Sequence, residues 1–508
     1  MRLHNPLIPG FNPDPSAVLV DGTYYLVTST FEYLPGIPVY ASTDFEDWTQ
    51  IGNVITRPEQ GQLENATTGL GVWAPTIRHR DGVFYVIVTI AGGRGCVVYT
   101  AESPEGPWSD GLVLGGVEGI DPDLSWDDDG TALVTYSGLV MKGEDIGKHS
   151  GIRQVDVDLA TGETLAGPRD LWSGSGFKFP EAPHLYRRGD WWYLMIAEGG
   201  TERGHGVSVA RSRDPRGPFE PGPANPILSA RSTNRPIQNT GHGDLVETPD
   251  GRTLMVLLGV RPRGATQAFS ALGRETFATE VRWEDGWPVA EPVHLDPREG
   301  DMEVEHRFSA ELDPGWLAIR RPPASLADLR SEPGRLTLHG EGTDMTAARP
   351  VFLGRRQLHQ TATVATTIDA SKGTGGLAVR YDEQTVYSIT VTGEGKGSII
   401  VAEARVPGIT QTWTASLPSG PVELRLESEP SAGFQPSELS TADFLDMMTS
   451  DFVSFIARSG DEEVRLARVD GRYLSAETAA SFTGRVIGLF AVTGTVGFDG
   501  FRYSGSNR

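Results

Sequence analysis

At 508 residues the chain is too long for one ordinary domain, and two domains of roughly 200–300 residues are expected. An apolar share of 38% with 22% charged residues excludes both a disordered chain and a membrane-embedded one. The net charge of −23, from 67 acidic and 44 basic side chains, repels phosphate backbones and argues against a nucleic-acid partner, whereas a neutral sugar would be indifferent to it.

The chain opens MRLHNPLIPGFNPDPS, a proline-rich start that lacks the apolar core of a signal peptide. No run approaches the roughly 18 apolar residues of a membrane span, and the single cysteine, Cys96, rules out an intrachain disulfide. A cytoplasmic protein with no membrane partner is the expectation, acting on fragments small enough to be imported.

From Asp14 onward one pattern recurs: a small or acidic residue, usually a proline, an apolar strand, a Gly/Asp turn and a second β-rich strand. The copies are DPSAVLVDGTYYLVTS from Asp14, APTIRHRDGVFYVIVT from Ala74 and DPDLSWDDDGTALVTY from Asp121. APHLYRRGDWWYLMIA from Ala182 and HGDLVETPDGRTLMVLL from His242 complete the set, with starts 60, 47, 61 and 60 residues apart. Each copy has the signature of a hairpin. A second hairpin echoes after several of them, in ASTDFEDW, AESPEGPW and ARSRDPRGPF. Four strands per unit at this period predict propeller blades, and five copies predict five blades. A parallel α/β fold is disfavoured, since no long segment of 3.6-residue period separates the strands.

After about residue 300 the repeat stops. HRFSAELDPGWLAIRRPPASLADL reads as a loop anchored by Trp316. Short alternating strands follow: GRLTLHG, TATVATTI, GGLAVRYD, TVYSITVTG, SIIVAEA, PVELRLE, FVSFIAR, EVRLARV and VIGLFAV. They predict a β-sandwich of jelly-roll type. The expected architecture is all-β: a five-bladed propeller over 1–304 and a sandwich over 305–508. The stretch 428–449 is a polar insert without a place in this scheme.

In a propeller the innermost strand of each blade lines the central channel, so equivalent blade starts converge on one spot. Asp14, Asp121 and His242 hold such starts, and Glu181 lies one position before the fourth. Prolines flank Asp14 and fix its backbone. Glu181, in FKFPEAPHL, has aromatic and proline neighbours that would partly desolvate it and raise its pKa, as a general acid requires. The DDDG run Asp127–Gly130 lacks the spacing of a calcium loop and reads as a hairpin turn. His242 is open to three roles: core histidine, metal ligand or orienting group. No second His or Cys at ligand spacing accompanies it, which argues against zinc. Arg274 is a candidate fork for hydroxyls or a carboxylate, and Trp73 and Phe31 are candidates to stack on a sugar ring. A carboxylic acid, a carboxylate and nearby aromatics form the toolkit for cleaving a glycosidic bond, with the second carboxylate either activating water or attacking directly.

Seven ordered motifs make the resemblance specific. NPLIPGFNPDPS, YYLVTSTFEYLPGIPVY, GVWAPTIRHRDGVFYVIVT, GIDPDL, FPEAPHLY, TGHGDLVET and LGRETF together resemble glycoside hydrolase family 43, the β-xylosidase and α-L-arabinofuranosidase family. The likeness covers nearly the whole chain, the tail resembling a β-sandwich appended in one branch. It implies Asp14 as general base, Glu181 as general acid and Asp121 as the acid that tunes Glu181. It further implies Arg274 as a substrate contact, and His242 at the channel floor, where calcium or sodium can sit without being required for the reaction. It also implies inversion at the anomeric centre and a small oligosaccharide substrate, and leaves self-association open. The run GVRPRG before LGRETF is closer to members described as arabinofuranosidases.

Three rivals are weighed. The related invertase and fructosidase propellers use an RDP motif, but Arg213-Asp214-Pro215 falls in the ARSRDPRGPF echo and reads as a turn, and the expected NDPNG start is absent. The presence of both Asp14 and Glu181 argues against a catalytically dead sugar-binding propeller. The extra sandwich argues mildly for exo-action over an endo-arabinanase.

Overall fold

The computed structural model describes residues 3–507 apart from 142, 265–267, 310, 395–396, 432–444, 446 and 480. The residues form two compact units. The first comprises Met1–Ile8, Asn12–Val260 and Glu275–Pro297; the second comprises Pro9–Phe11, Arg261–Arg274 and Arg298–Arg508. The second unit thus begins at Arg298 and also takes in two short segments from within the expected propeller span of 1–304. Among the described residues no helix is long and apolar enough to cross a membrane.

The first unit is a propeller of five antiparallel sheets. Their inner strands are β1 (Ser16–Val20), β2 (Gly71–Arg80), β3 (Ile120–Trp126), β4 (Glu181–Arg188) and β5 (Gln238–Glu247). Each is followed outward in chain order by the other strands of its blade. Three of the tight hairpins fall on Asp-Gly pairs, Asp21-Gly22, Asp81-Gly82 and Asp285-Gly286. Both residues of each pair have positive φ, the two-residue turn whose twist matches the flanking strands. In blade 3 the Asp127 carboxylate instead accepts the amides of Asp129 (3.1 Å) and Thr131 (2.8 Å), so DDDG is the expected hairpin turn. Arg213-Asp214-Pro215 likewise follows strand Gly206–Ser212 as a turn, with Arg213 and Asp190 paired at the exposed surface.

The second strand of each blade is apolar on both faces, and alternation decides which neighbour each residue meets. Val86 and Val88 pack with Val27 and Val39 of blade 1, while Ile87 packs with Val134 and Val155 of blade 3. Leu133 joins Leu194 and Ile196 of blade 4, and Met195 joins Leu257 and Phe277 of blade 5. Leu254 and Val256 then meet Tyr24 and Leu26 of blade 1. Five apolar interfaces therefore close the ring. The N-terminal segment completes the closure: Leu7 N donates to Thr276 O at 2.8 Å, and Asn5 Nδ2 donates to Ala278 O at 2.9 Å, on the third strand of blade 5.

The second unit is a nearly closed β-sandwich built from one eleven-stranded sheet among the described residues. Two long strands, Thr361–Arg380 and Val486–Ser506, pair with each other and carry the remaining strands on their flanks. TATVATTI and GGLAVRYD, expected as separate strands, are the two ends of one. The polar stretch between them, which reads as a turn, instead carries register shifts at Asp369/Lys372 and Thr374/Gly375. Glycine permits the bend there: a Cβ on Gly376 would lie 1.9 Å from Ile389 O, and one on Gly375 would lie 2.4 Å from Phe490 O. The core includes Val364, Ile368, Leu377, Leu424, Phe455 and Phe498, with Trp316 buried against Phe501. Most of the 428–449 insert lies outside the described residues.

Candidate active site

Four of the five blade starts share an unusual backbone. Asp14 (φ 56°), Asp121 (φ 52°), Ala182 (φ 50°) and His242 (φ 51°) are all left-handed, a region most side chains avoid and Asp and Asn tolerate best. In blades 3, 4 and 5 this residue opens a bulge, since register shifts separate Ile120 from Asp123, Glu181 from His184 and Gly241 from Asp244. A bulge re-aims a side chain that the regular pleat would commit to one face. In blade 2 the shift lies between Val72 and Pro75, at Trp73 and Ala74.

Asp14 is buried, and Ser29 Oγ donates to its Oδ2 at 2.5 Å. A hydrogen bond of this kind favours the carboxylate form. Its Oδ1 lies 3.5 Å from His242 Nδ1, so the histidine of blade 5 flanks the acid of blade 1. Asp121 is buried as well, and its Oδ2 accepts the Ala182 amide at 3.2 Å. That bond fixes a carboxylate against the backbone one residue beyond Glu181. Glu181 remains reachable, its side chain 17% exposed, and Oε1 lies 4.0 Å from Nε2 of the fully buried His205. The sequence reading did not single out His205, a lone histidine at the end of the glycine-rich loop GGTERGH.

Phe31 is buried with a left-handed backbone (φ 52°) and bridges Val72, the residue before Trp73, so the two expected aromatics are neighbours. Trp73 is half-buried and donates its indole N–H to Gly69 O at 3.0 Å. Arg274 belongs to the second unit, where it donates to Phe482 O at 3.2 Å and its guanidinium lies 5.6 Å from the centre of the Phe482 ring.

Two to four residues further along the chain from these starts lies a buried polar plug. Arg78 of β2 donates to Asp123 of β3 at 2.6 Å and to Asp244 of β5 at 2.9 Å. His184 Nδ1 of β4 sits 3.1 Å from the same guanidinium and 3.2 Å from Asp123. Tyr186 and Ser16 each donate to Asp244 at 2.6 Å, so every blade contributes. Burial alone would raise the Asp244 carboxyl, but the charges of Arg78 and His184 outweigh it and hold the group well below the usual carboxylate range. Burial would likewise lower Arg78, but Asp244 and Asp123 keep it firmly charged. Burial and the Asp244 charge push the Tyr186 phenol well up. Part of the signal for this plug lies in the third column of the repeat, DPS, APT, DPD, APH and HGD, which is polar in every copy, whereas Arg78 and Tyr186 stand two residues beyond it.

The axial donor set offers no direct cluster of ligands for a metal ion among the described residues. Among the described residues no group of three or more His, Cys, Asp and Glu side chains could hold one. Asp123 and Asp244, the carboxylates of the plug, are engaged by a resident guanidinium. No step below runs through an ion.

The chemistry available is therefore a reachable glutamate beside a buried histidine, and an aspartate held by a hydroxyl and flanked by a second histidine. The sequence profile of glycosyl hydrolases family 43 matches residues 3–288, and that of the beta xylosidase C-terminal concanavalin A-like domain matches residues 306–504. A non-reducing end alpha-L-arabinofuranosidase from Bacteroides ovatus is 35% identical, over 96% of this chain and 90% of its own. A beta-xylosidase from Bacillus subtilis is 30% identical, over 77% of this chain and 79% of its own. The crystal structure of a xylan beta-1,4-xylosidase from Bacillus halodurans superposes with a TM-score of 0.86 at 28% identity, covering 99% of this chain and 100% of that one. The chain belongs to glycoside hydrolase family 43, and it is a glycosidase.

Proposed function

We propose that the enzyme removes a terminal β-1,4-linked xylose from short xylo-oligosaccharides with inversion, Asp14 acting as general base and Glu181 as general acid. One observation carries the assignment of roles: the two carboxyl groups stand in opposite surroundings. Asp14 accepts a short hydroxyl bond that favours the anion, as a base requires. Glu181 faces a buried imidazole and has the fixed Asp121 carboxylate nearby, and a neighbouring negative charge favours the protonated acid.

In the reaction Glu181 protonates the glycosidic oxygen as the bond to the anomeric carbon breaks. Asp14 takes a proton from a water that attacks the opposite face. Asp121 keeps the proton on Glu181 until the leaving group needs it, and His242 orients Asp14. Phe31 and Trp73 are proposed to flank the sugar, and Arg274 is proposed as a further substrate contact. The enzyme is proposed to need no cofactor and to act in the cytoplasm, with neither nucleic acid nor membrane as partner and self-association left open.

The Bacteroides ovatus relative, matched across 96% of this chain and named an arabinofuranosidase, favours a second reading in which terminal α-L-arabinofuranose is removed. Initial rates on an aryl β-xyloside and an aryl α-L-arabinofuranoside, measured side by side, decide between the two sugars. NMR of the first product tests the mechanism. Inversion releases α-xylose from a β-xyloside before mutarotation and calls for carboxyl groups about 6.5–9.5 Å apart. First release of β-xylose would instead make Asp14 a nucleophile.

A further inference from the structure

We propose that His205 is a positioning residue for Glu181, presenting an imidazole acceptor that keeps the acid protonated and aims its carboxyl group. The inference rests on the assignment of Glu181 as general acid. His205 immediately precedes Gly206–Ser212, the third strand of blade 4, and its ring is fully buried. Three contacts fix it. Its amide donates to Glu202 O at 2.9 Å, its carbonyl accepts Ser229 Oγ at 2.9 Å, and its Nδ1 lies 3.1 Å from the Asn239 carbonyl of β5.

A carbonyl oxygen only accepts, so Nδ1 must carry the proton. In the neutral ring Nε2 is then the acceptor nitrogen, and this atom is the one 4.0 Å from Glu181 Oε1. Such an acceptor bonds a protonated carboxyl and repels a carboxylate. The separation exceeds a hydrogen bond in this structure. Contacts of this kind tighten when substrate fills the site.

The socket is shaped for the ring. A Cβ on Gly241 would lie 2.5 Å from His205 Cε1 and Nδ1, so an unsubstituted residue at 241 gives the imidazole its place. The other titratable groups on the packed strands have their own partners. Glu198 accepts Ser175 N at 2.8 Å and Ser175 Oγ at 2.5 Å, His242 Nδ1 faces Asp14, and Asp121 accepts the Ala182 amide.

The test compares His205→Asn with Glu181→Gln on xylobiose and on a dinitrophenyl β-xyloside. The asparagine amide keeps the donor toward Asn239 and removes the group that faces Glu181. The expected result is a loss of about 10- to 100-fold in kcat/KM on xylobiose, a loss under about 3-fold on the activated glycoside, and a basic limb of the pH–rate profile moved to lower pH. Gly241→Ala, which pushes the ring aside without deleting it, should reproduce the pattern and serves if His205→Asn does not fold. Equal losses on both substrates, or an unmoved basic limb at an unchanged melting temperature, would overturn the proposal. If Glu181→Gln itself fails to discriminate between leaving groups, the fault lies in the acid assignment. If Glu181→Gln discriminates and both His205→Asn and Gly241→Ala do not, only the role of His205 falls.

Discussion

Replacing Arg78 by Met would leave two carboxylates, Asp123 and Asp244, buried at the propeller axis with no exposed side-chain surface and no cation between them. Removing one partner of a buried ion pair typically destabilises by about 3–5 kcal/mol. At about 2 °C per kcal/mol for a unit of this size, the propeller transition should fall by roughly 6–10 °C at pH 7. The pH dependence follows from the direction of each shift. In the native protein the folded Asp244 carboxyl titrates below its unfolded value, so its stabilisation is present above about pH 4 and is lost as pH falls through the folded value. In the variant burial persists without the cation, the folded Asp244 carboxyl rises above the unfolded value, and the penalty grows as pH climbs past about 4. The two melting temperatures should therefore converge toward pH 4 and separate toward pH 7. Calorimetric scans across pH 4–8 measure this. A constant difference across that range, or one below about 1 kcal/mol at pH 7, would refute the idea that Arg78 neutralises the axis.

Glu181→Ala should cost about 10²- to 10⁴-fold on xylobiose and far less on an activated aryl glycoside, because only the poor leaving group needs a proton. Asp14→Asn should cost a similar factor on both substrates, since water must always be activated, and asparagine suits the left-handed backbone at φ 56°; matching leaving-group profiles for these two variants would contradict the roles. Asp121→Asn keeps an acceptor for the Ala182 amide but removes the charge near Glu181, so the basic limb of kcat/KM against pH should shift downward; no shift would make Asp121 structural. Dialysis against EDTA should change neither melting temperature nor kcat/KM, because Arg78 already neutralises the axial carboxylates; a loss restored by calcium would show that an ion does bind.

The propeller was legible because the blades repeat local chemistry: hairpin turns rich in Asp and Gly, three of them Asp-Gly pairs at positive φ, apolar middle strands, and a small, acidic or histidine residue at the inner starts. Asp14, Asp121 and His242 could be grouped from that column without any long-range information. Arg78 and His205 escaped because neither stands in a blade-start position. Arg78 acts across blades on residues 45 and 166 positions away, a relation invisible in its own strand. His205 sits in a loop whose sequence shows only glycine and charge. The sequence reads Thr361–Arg380 as two strands because Ser371, Lys372 and the glycines 373, 375 and 376 interrupt the alternation, whereas in the fold they carry register shifts within one strand. Arg274 is named by its motif, but its contact with Phe482, 208 residues on, could not be read from it.

The docking of Asn5 and Leu7 onto the third strand of blade 5 has a kinetic meaning. Asn5 and Ala278 are 273 residues apart, so the seam between first and last blades is the most non-local contact of the ring. Loop-closure entropy must be met before such a contact contributes anything, and topologies dominated by long-range pairing fold slowly. On a ribosome the first four blades can collapse as they emerge, yet the outer faces of Tyr24 and Leu26 must wait uncovered until Leu254 and Val256 have been made. The apolar seam of blade 1 is thus the surface most exposed to misassembly during synthesis, and the stretch a chaperone would have the longest opportunity to hold.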